Sequence, residues 1–278
     1  MMKRLFIVGI ILWSACSLFA NEQDSIKVEK WLKEAVGLPQ DSCRTLHFAK
    51  KMLGVPYVAA TLDGNEEEQL VVHVDRLDCT TFVETVLALC IADKRGVRNF
   101  DGFKKALTDV RYRNGVLDGY ASRLHYFSDW IRNNEQMGFV KECTSETLCA
   151  QPQDLWLNFM TTHVDSYQPM KKDPSLVEVM AAQEKKWQGT VVSYIPKEKL
   201  NLPPEELKIK DGDILAMVTN IKGLDIVHVG FAFWKDNHLH LLHASSSAKK
   251  VIEDPKTQYE SSGKTKAHIG VRAIRVVY

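Results

Sequence analysis

Hydrophobic positions recur at helical spacing near the start of the chain. Val28, Trp31, Leu32 and Ala35 fall at i, i+3, i+4 and i+7, predicting a helix over 25–36. A second helix is expected over 41–53, with Leu46, Ala49 and Leu53 on one stripe, ended by Gly54-Val55-Pro56-Tyr57. The acidic run Asp63 to Glu68 reads as a solvated loop and Leu70 to Val74 as a short strand. An amphipathic helix follows from Cys79 to about Ala92, with Phe82, Val83, Val86, Leu89 and Cys90 facing inward. Its cap is either Asp78 or a box formed by Thr81 and Glu84. Residues 100–205 read as mostly helical, with helices over 103–110, 122–133 and 175–186 among scattered prolines. From Lys210 the period changes to two, predicting strands over 214–219, 226–234, 238–243, 250–253 and 271–277. Helices first and an antiparallel meander last make an α+β fold.

The first twenty residues stand outside this pattern. Lys3 and Arg4 precede the apolar run Leu5 to Trp13, which is too short to span a bilayer and reads as a signal-peptide core. Two processing sites are open: cleavage after Ala20, or lipidation of Cys16 in the imperfect lipobox Trp13-Ser14-Ala15-Cys16. No other apolar run is long enough to cross a membrane, so the expectation is export to the periplasm or cell envelope, soluble or lipid-tethered. Cleavage after Ala20 removes two bases and no acid, moving the formal charge from +1 to −1. That balance argues against nucleic acid, which demands a basic face. Five cysteines then remain: Cys43, Cys79, Cys90, Cys143 and Cys149. In an oxidising compartment an odd number leaves one thiol over, and Cys79 is the candidate. Cys143 and Cys149 either close a small disulfide loop or stay reduced.

Cys79 carries the sharpest chemical signal. Unpaired N–H groups at a helix start favour thiolate, so its pKa is expected to fall from about 8.5 toward neutrality. A cysteine nucleophile needs a base and a group to orient it. His228, in His228-Val229-Gly230-Phe231, is the candidate base, with Gly230 leaving room beside it for a helix or substrate. His243 is the candidate orienter and His240 its rival; alternation along a strand points these two opposite ways. A zinc site built from His238, His240, His243 and Cys79 is the competing reading. The His-x-His-x-x-His spacing splits its ligands across two faces of a strand, which suits a tetrahedral site poorly.

Asp78-Cys79-Thr80-Thr81-Phe82-Val83, His228-Val229-Gly230-Phe231 and His243-Ala244-Ser245 resemble, in order, the signature blocks of the NlpC/P60 papain-like cell-wall hydrolases. Gly54-Val55-Pro56-Tyr57 and the Asp211-Gly212-Asp213 turn resemble elements of the same family. The resemblance implies a papain-like fold, N-terminal helices packed on a C-terminal antiparallel sheet, and one catalytic domain over 21–278 with an insertion at about 100–205. It implies Cys79 as nucleophile, His228 as base, His243 as orienter and Tyr57 near the oxyanion or substrate, with no metal or cofactor. Thr80-Thr81 departs from the usual Ser-Gly after the cysteine. The long insertion and Ser122 to Trp130 resemble the N-acetylmuramoyl-L-alanine amidase-like branch, which cuts between muramic acid and L-alanine. A γ-D-glutamyl endopeptidase and a non-catalytic wall-binding module are the alternatives; all three imply peptidoglycan or its fragments as partner. Arg123, Tyr126 and Trp130 would share a helical ridge, either gripping a sugar or packing the insertion. Asp78 either caps the helix or binds a substrate amine.

Overall fold

The computed structural model describes residues 22–264 and 266–277; the leader and Cys16 lie outside the described residues. The first helix, α1 (22–35), buries Val28, Trp31, Leu32 and Ala35 as their spacing predicts. Helix α2 (Arg44–Lys50) is shorter than expected and turns Thr45, Phe48 and Ala49 inward, whereas Leu53 lies beyond it and is exposed. Residues 70–73 form no strand. They have no ladder partner, and the Val71 carbonyl accepts instead from the Arg111 guanidinium at 2.6 Å.

Helix α3 (Cys79–Lys94) is not amphipathic. Every residue from Thr81 to Asp93 is buried, because α2, α4 (Phe100–Arg111) and the sheet surround it. A helix enclosed on all sides must carry apolar residues all round. Its charged exceptions are ion-paired: Glu84 with Arg111 at 2.7 Å, and Asp93 with Arg44 and Arg98.

The insertion is less helical than its sequence suggests. After α5 (Phe127–Gln136) come β1 (Val140–Glu142), β2 (Gln151–Leu155), α6 (Phe159–Thr162), α7 (Gln168–Lys172), α8 (Ser175–Lys185), β3 (Thr190–Pro196) and α9 (Pro204–Leu207). Strand β1 has three residues and β2 carries Pro152, tolerated at a sheet edge where its missing donor is not needed. The C-terminal strands β4 (Ile214–Thr219), β5 (Ile226–Lys235), β6 (His238–Ser245), β7 (Lys250–Glu253) and β8 (His268–Val276) match the period-two reading; a short helix, α10 (Gln258–Ser262), precedes β8.

All strands join one antiparallel sheet in the order β2-β3-β8-β4-β5-β6-β7, with β1 also on β8. One face of the sheet, including Ile214, Ala216, Val229, Phe231, Leu242 and Ala244, packs under α3. Leu215, Met217, Ala232, Leu241 and Val271 form a second cluster with Leu200 and Leu207. The insertion buries its own cluster around Tyr126, Met160, Met180 and Trp187. No helix among the described residues is long and apolar enough to cross a membrane.

Candidate active site

Cys79 is the first residue of α3. Asp78 caps the helix: its carboxylate accepts from Thr81 N at 2.8 Å, and Asp78 N donates to Thr81 Oγ1 at 2.9 Å. Such a cap contributes about 1 kcal/mol and fixes where the first turn begins. Thr81 thus completes the box that was expected from either Asp78 or Thr81 with Glu84.

The second half of the site comes from β5. Backbone N–H groups alternate sides along a strand; Ala232 N donates toward β4, to Asp213 O, so Val229 N faces the β6 side. Pairing with β6 stops at Phe231↔Leu242, leaving Val229 N outside that ladder. Its N–H lies close enough to the Cys79 sulfur to favour the thiolate. The thiol therefore lies one residue from His228 although 149 positions separate them in sequence.

His228 sits at a bulge, where the β4–β5 register jumps from Met217↔His228 to Val218↔Ile226. Bulges re-aim side chains and are common beside active sites. His228 Nε2 lies 2.6 Å from His243 Nδ1, with the rings edge-on. Gly230 makes this pairing feasible in a way the sequence does not reveal. A Cβ there would lie 2.8 Å from the His243 Cβ, so the space is used by His243 rather than by a helix or substrate. His240 points away from this pair; its Nδ1 donates to the Asp254 carbonyl at 3.1 Å and its ring stacks on Phe233.

Burial pushes the Cys79 thiol up to about 11, with the Asp78 charge adding to it; N–H groups of Val229 and Thr80 oppose the rise without cancelling it. This reverses the expected fall, because desolvation outweighs the helix start. Burial also pulls His228 down to about 3, aided by His243 and then His268. Both directions favour the neutral thiol and the neutral imidazole.

Tyr57 reaches the same place. Its N donates to Lys249 O beside β7, while Leu77 N donates to Pro56 O and Val58 N to Leu77 O, clamping the Gly54–Tyr57 element next to Cys79. Burial raises the Tyr57 pKa, and the charges of Cys79 and Asp78 raise it further.

Arg123 and Tyr126 are not brought to the site. Neither is helical: Arg123 follows a 3-10 turn (Tyr120–Ser122) and Tyr126 precedes α5, so no ridge with Trp130 exists. Arg123 is buried between Asp63 and Glu68 and against the Tyr120 ring. The Tyr126 hydroxyl donates to Glu184 at 2.6 Å and accepts from Met160 N at 2.9 Å, and Trp130 is fully buried. These side chains pack the insertion. Cys143 and Cys149 are free thiols, so the disulfide loop is not formed.

Among the described residues, His238, His240, His243 and Cys79 form no metal-ligating cluster; the one grouping of that kind is Asp24, His73 and Asp75. A cavity of about 630 Å³ opens on the imidazole pair, lined also by Ser245, Asp254, Lys256 and His268. Asp254 is the neighbour that sequence reasoning missed. It follows β7 and carries no motif; only the pairing of β6 with β7 puts its carboxylate 4.0 Å from His243 Nε2.

A family model described as AmiA-like, N-acetylmuramoyl-L-alanine amidase-like, matches residues 47–266. A crystal structure of an N-acetylmuramoyl-L-alanine amidase from Bacteroides uniformis is 38% identical with a TM-score of 0.79, covering 84% of this chain and 98% of that one. A Bacteroides fragilis structure, provisionally named a xylanase, is 39% identical with a TM-score of 0.77, covering 83% and 99%. A Legionella pneumophila protein at 24% identity and a TM-score of 0.73, covering 94% of this chain and 97% of that one, shares the fold. The comparison with curated proteins yields no match. The match spans well over half of the chain and includes Cys79, His228 and His243, and the chain belongs to the N-acetylmuramoyl-L-alanine amidase-like family.

Proposed function

We propose that the protein is an exported cysteine amidase that cleaves the bond between N-acetylmuramic acid and the L-alanine of the peptidoglycan stem, with Cys79, His228 and His243 as a papain-like triad of the NlpC/P60 kind. One observation carries the reading: His228 Nε2 is engaged by His243 Nδ1, on the strand whose Val229 N–H favours the Cys79 thiolate. That leaves His228 Nδ1 as the candidate base, on the residue next to the one whose N–H favours the Cys79 thiolate.

The resting neutral pair defines the order of events. As the Cys79 sulfur bonds to the amide carbonyl carbon, its proton passes to His228 Nδ1, so thiolate is not stored beforehand. Backbone N–H groups at the start of α3 face the developing oxyanion, with Tyr57 beside them. The C–N bond breaks as His228 returns the proton to the departing L-alanine nitrogen. Water then attacks the thioester, giving a proton to His228; the S–C bond breaks and the sulfur takes that proton back. No step requires a metal. The domain is read as one catalytic unit with an insertion, in the periplasm or envelope, supported by the leader-like residues 1–20.

Muropeptides with and without the disaccharide, digested and weighed by mass spectrometry, test this. An intact stem peptide beginning with L-alanine is expected. Sugar retaining L-Ala-D-Glu would instead make the protein a γ-D-glutamyl endopeptidase, and glycan cleavage would refute amidase action. Cys79→Ala should abolish product; turnover near the native rate would remove the triad.

A further inference from the structure

His228 can accept a proton at Nδ1 only if its own hydrogen is on Nε2. That hydrogen must then be donated to His243 Nδ1, 2.6 Å away. His243 in turn must carry its hydrogen on Nε2. This nitrogen is buried and has no hydrogen-bond partner among the described residues. A buried donor without an acceptor is costly, and a ring free to exchange tautomers would leave His228 protonated on the wrong nitrogen for part of the time. The nearest anionic group is the Asp254 carboxylate, with Oδ2 4.0 Å from His243 Nε2. A bridging water or a small rotation closes such a gap, and both residues line the same cavity.

Asp254 is also held unusually firmly. Its N donates to Leu241 O at 2.8 Å, and its carbonyl accepts from His240 Nδ1 at 3.1 Å. Its Oδ1 accepts from Lys256 N at 3.0 Å and its Oδ2 from Ser261 Oγ at 3.1 Å. The backbone is thus pinned to β6 and the carboxylate to the turn into α10 and to α10 itself. This gives His240 a role: it fixes the acid that faces His243.

We propose that Asp254 is a positioning residue that locks His243 as the Nε2–H tautomer and thereby sets His228 with Nδ1 open toward Cys79, extending the triad to Cys-His-His-Asp. The inference rests on the triad reading. It acts through two rings, so its loss should lower kcat and leave substrate binding alone.

The test compares Asp254→Asn, Asp254→Glu and Ser261→Ala in the full chain, using muropeptide hydrolysis and imidazole nitrogen chemical shifts. Asp254→Asn should lower kcat about 10-fold to 100-fold with KM unchanged. The His243 resonances should move from the Nε2–H pattern toward Nδ1–H. Asp254→Glu should recover part of the rate, and Ser261→Ala should cost less than Asp254→Asn. An Asp254→Asn enzyme with native kcat, or with a native His243 tautomer despite a lowered kcat, overturns the assignment. Cys79→Ala and His228→Ala separate the two levels. If both abolish turnover while Asp254→Asn does not, only the positioning role fails; if either retains turnover, the triad fails and this role with it.

Discussion

Two histidines in different parts of the molecule are pulled down to about the same pKa, near 3, by the same cause. His228 in the sheet and His125 in the insertion are both desolvated. Their surroundings differ. His125 donates Nε2–H to the Tyr120 carbonyl at 2.9 Å and packs on the Tyr120 ring, so one nitrogen is used by fixed backbone. His228 is held by another titratable ring, which itself has an unmatched nitrogen, beside a thiol. A depressed pKa therefore marks burial in both places. What marks the candidate site is a chain of side chains that can each change protonation state.

In the insertion, Tyr126, Glu184, Met160 N and Thr161 satisfy one another. Around His243 the buried Nε2 has no partner, but neither do Trp130 Nε1 and Asn133 Nδ2 in the insertion, so an unmatched atom alone does not mark the site.

The largest expected difference is in activity. His228→Ala should lower kcat at least about 1,000-fold with a change in Tm of only a few degrees, whereas His125→Phe should keep kcat within about 3-fold. Parallel assays of muropeptide turnover and thermal melting decide this; a large kcat loss in His125→Phe would dissolve the distinction. Next comes Tyr126→Phe, which leaves the buried Glu184 carboxylate and Met160 N short of a partner. Chemical denaturation should show a loss of about 1–3 kcal/mol, with KM unaltered. An effect on KM would return Tyr126 to the substrate. Gly230→Ala should test the sheet side, since the added methyl meets the His243 Cβ. The expected result is a folded protein with kcat reduced about 10-fold or more, read against its melting curve.

The last difference is in pH dependence. His125 is neutral when folded until near pH 3 but titrates near 6.5 when unfolded. Between those values the unfolded chain binds more protons, so stability falls as pH falls through this window, by up to about 1.4 kcal/mol per unit. Above 6.5 its contribution is complete. His125→Phe should be less stable than the native chain at pH 7.5 by about 1 kcal/mol, from the lost bond to Tyr120, yet show a flatter acid limb in denaturation measured from pH 7 to pH 4. An unchanged slope would mean that other groups dominate acid unfolding.

The period-two strands, the first helix and the start of α3 were legible in the sequence because each depends on local spacing and capping. Val28 through Ala35, the β4–β7 meander and Asp78-Cys79 all obey rules that span fewer than ten residues. Strand β3 had a readable signal in Val191, Val192, Tyr194 and Ile195. It was masked by flanking helices and prolines. Strands β1 and β2 had none, since three residues, or five with a proline, form a strand only when an existing edge supplies the partner.

The amino-acid order alone determined the kinds of groups available: a cysteine at a helix start, histidines at alternating strand positions, a glycine where a side chain would not fit. Tertiary structure decided which of them meet and in what state. Only the packing of α3 against β5 and β6 desolvates Cys79 enough to reverse its expected acidity, since desolvation arises from neighbours remote in sequence. Only the β6–β7 register carries Asp254 to His243, and only burial of Arg123 and Tyr126 removes them from the surface where a substrate would find them.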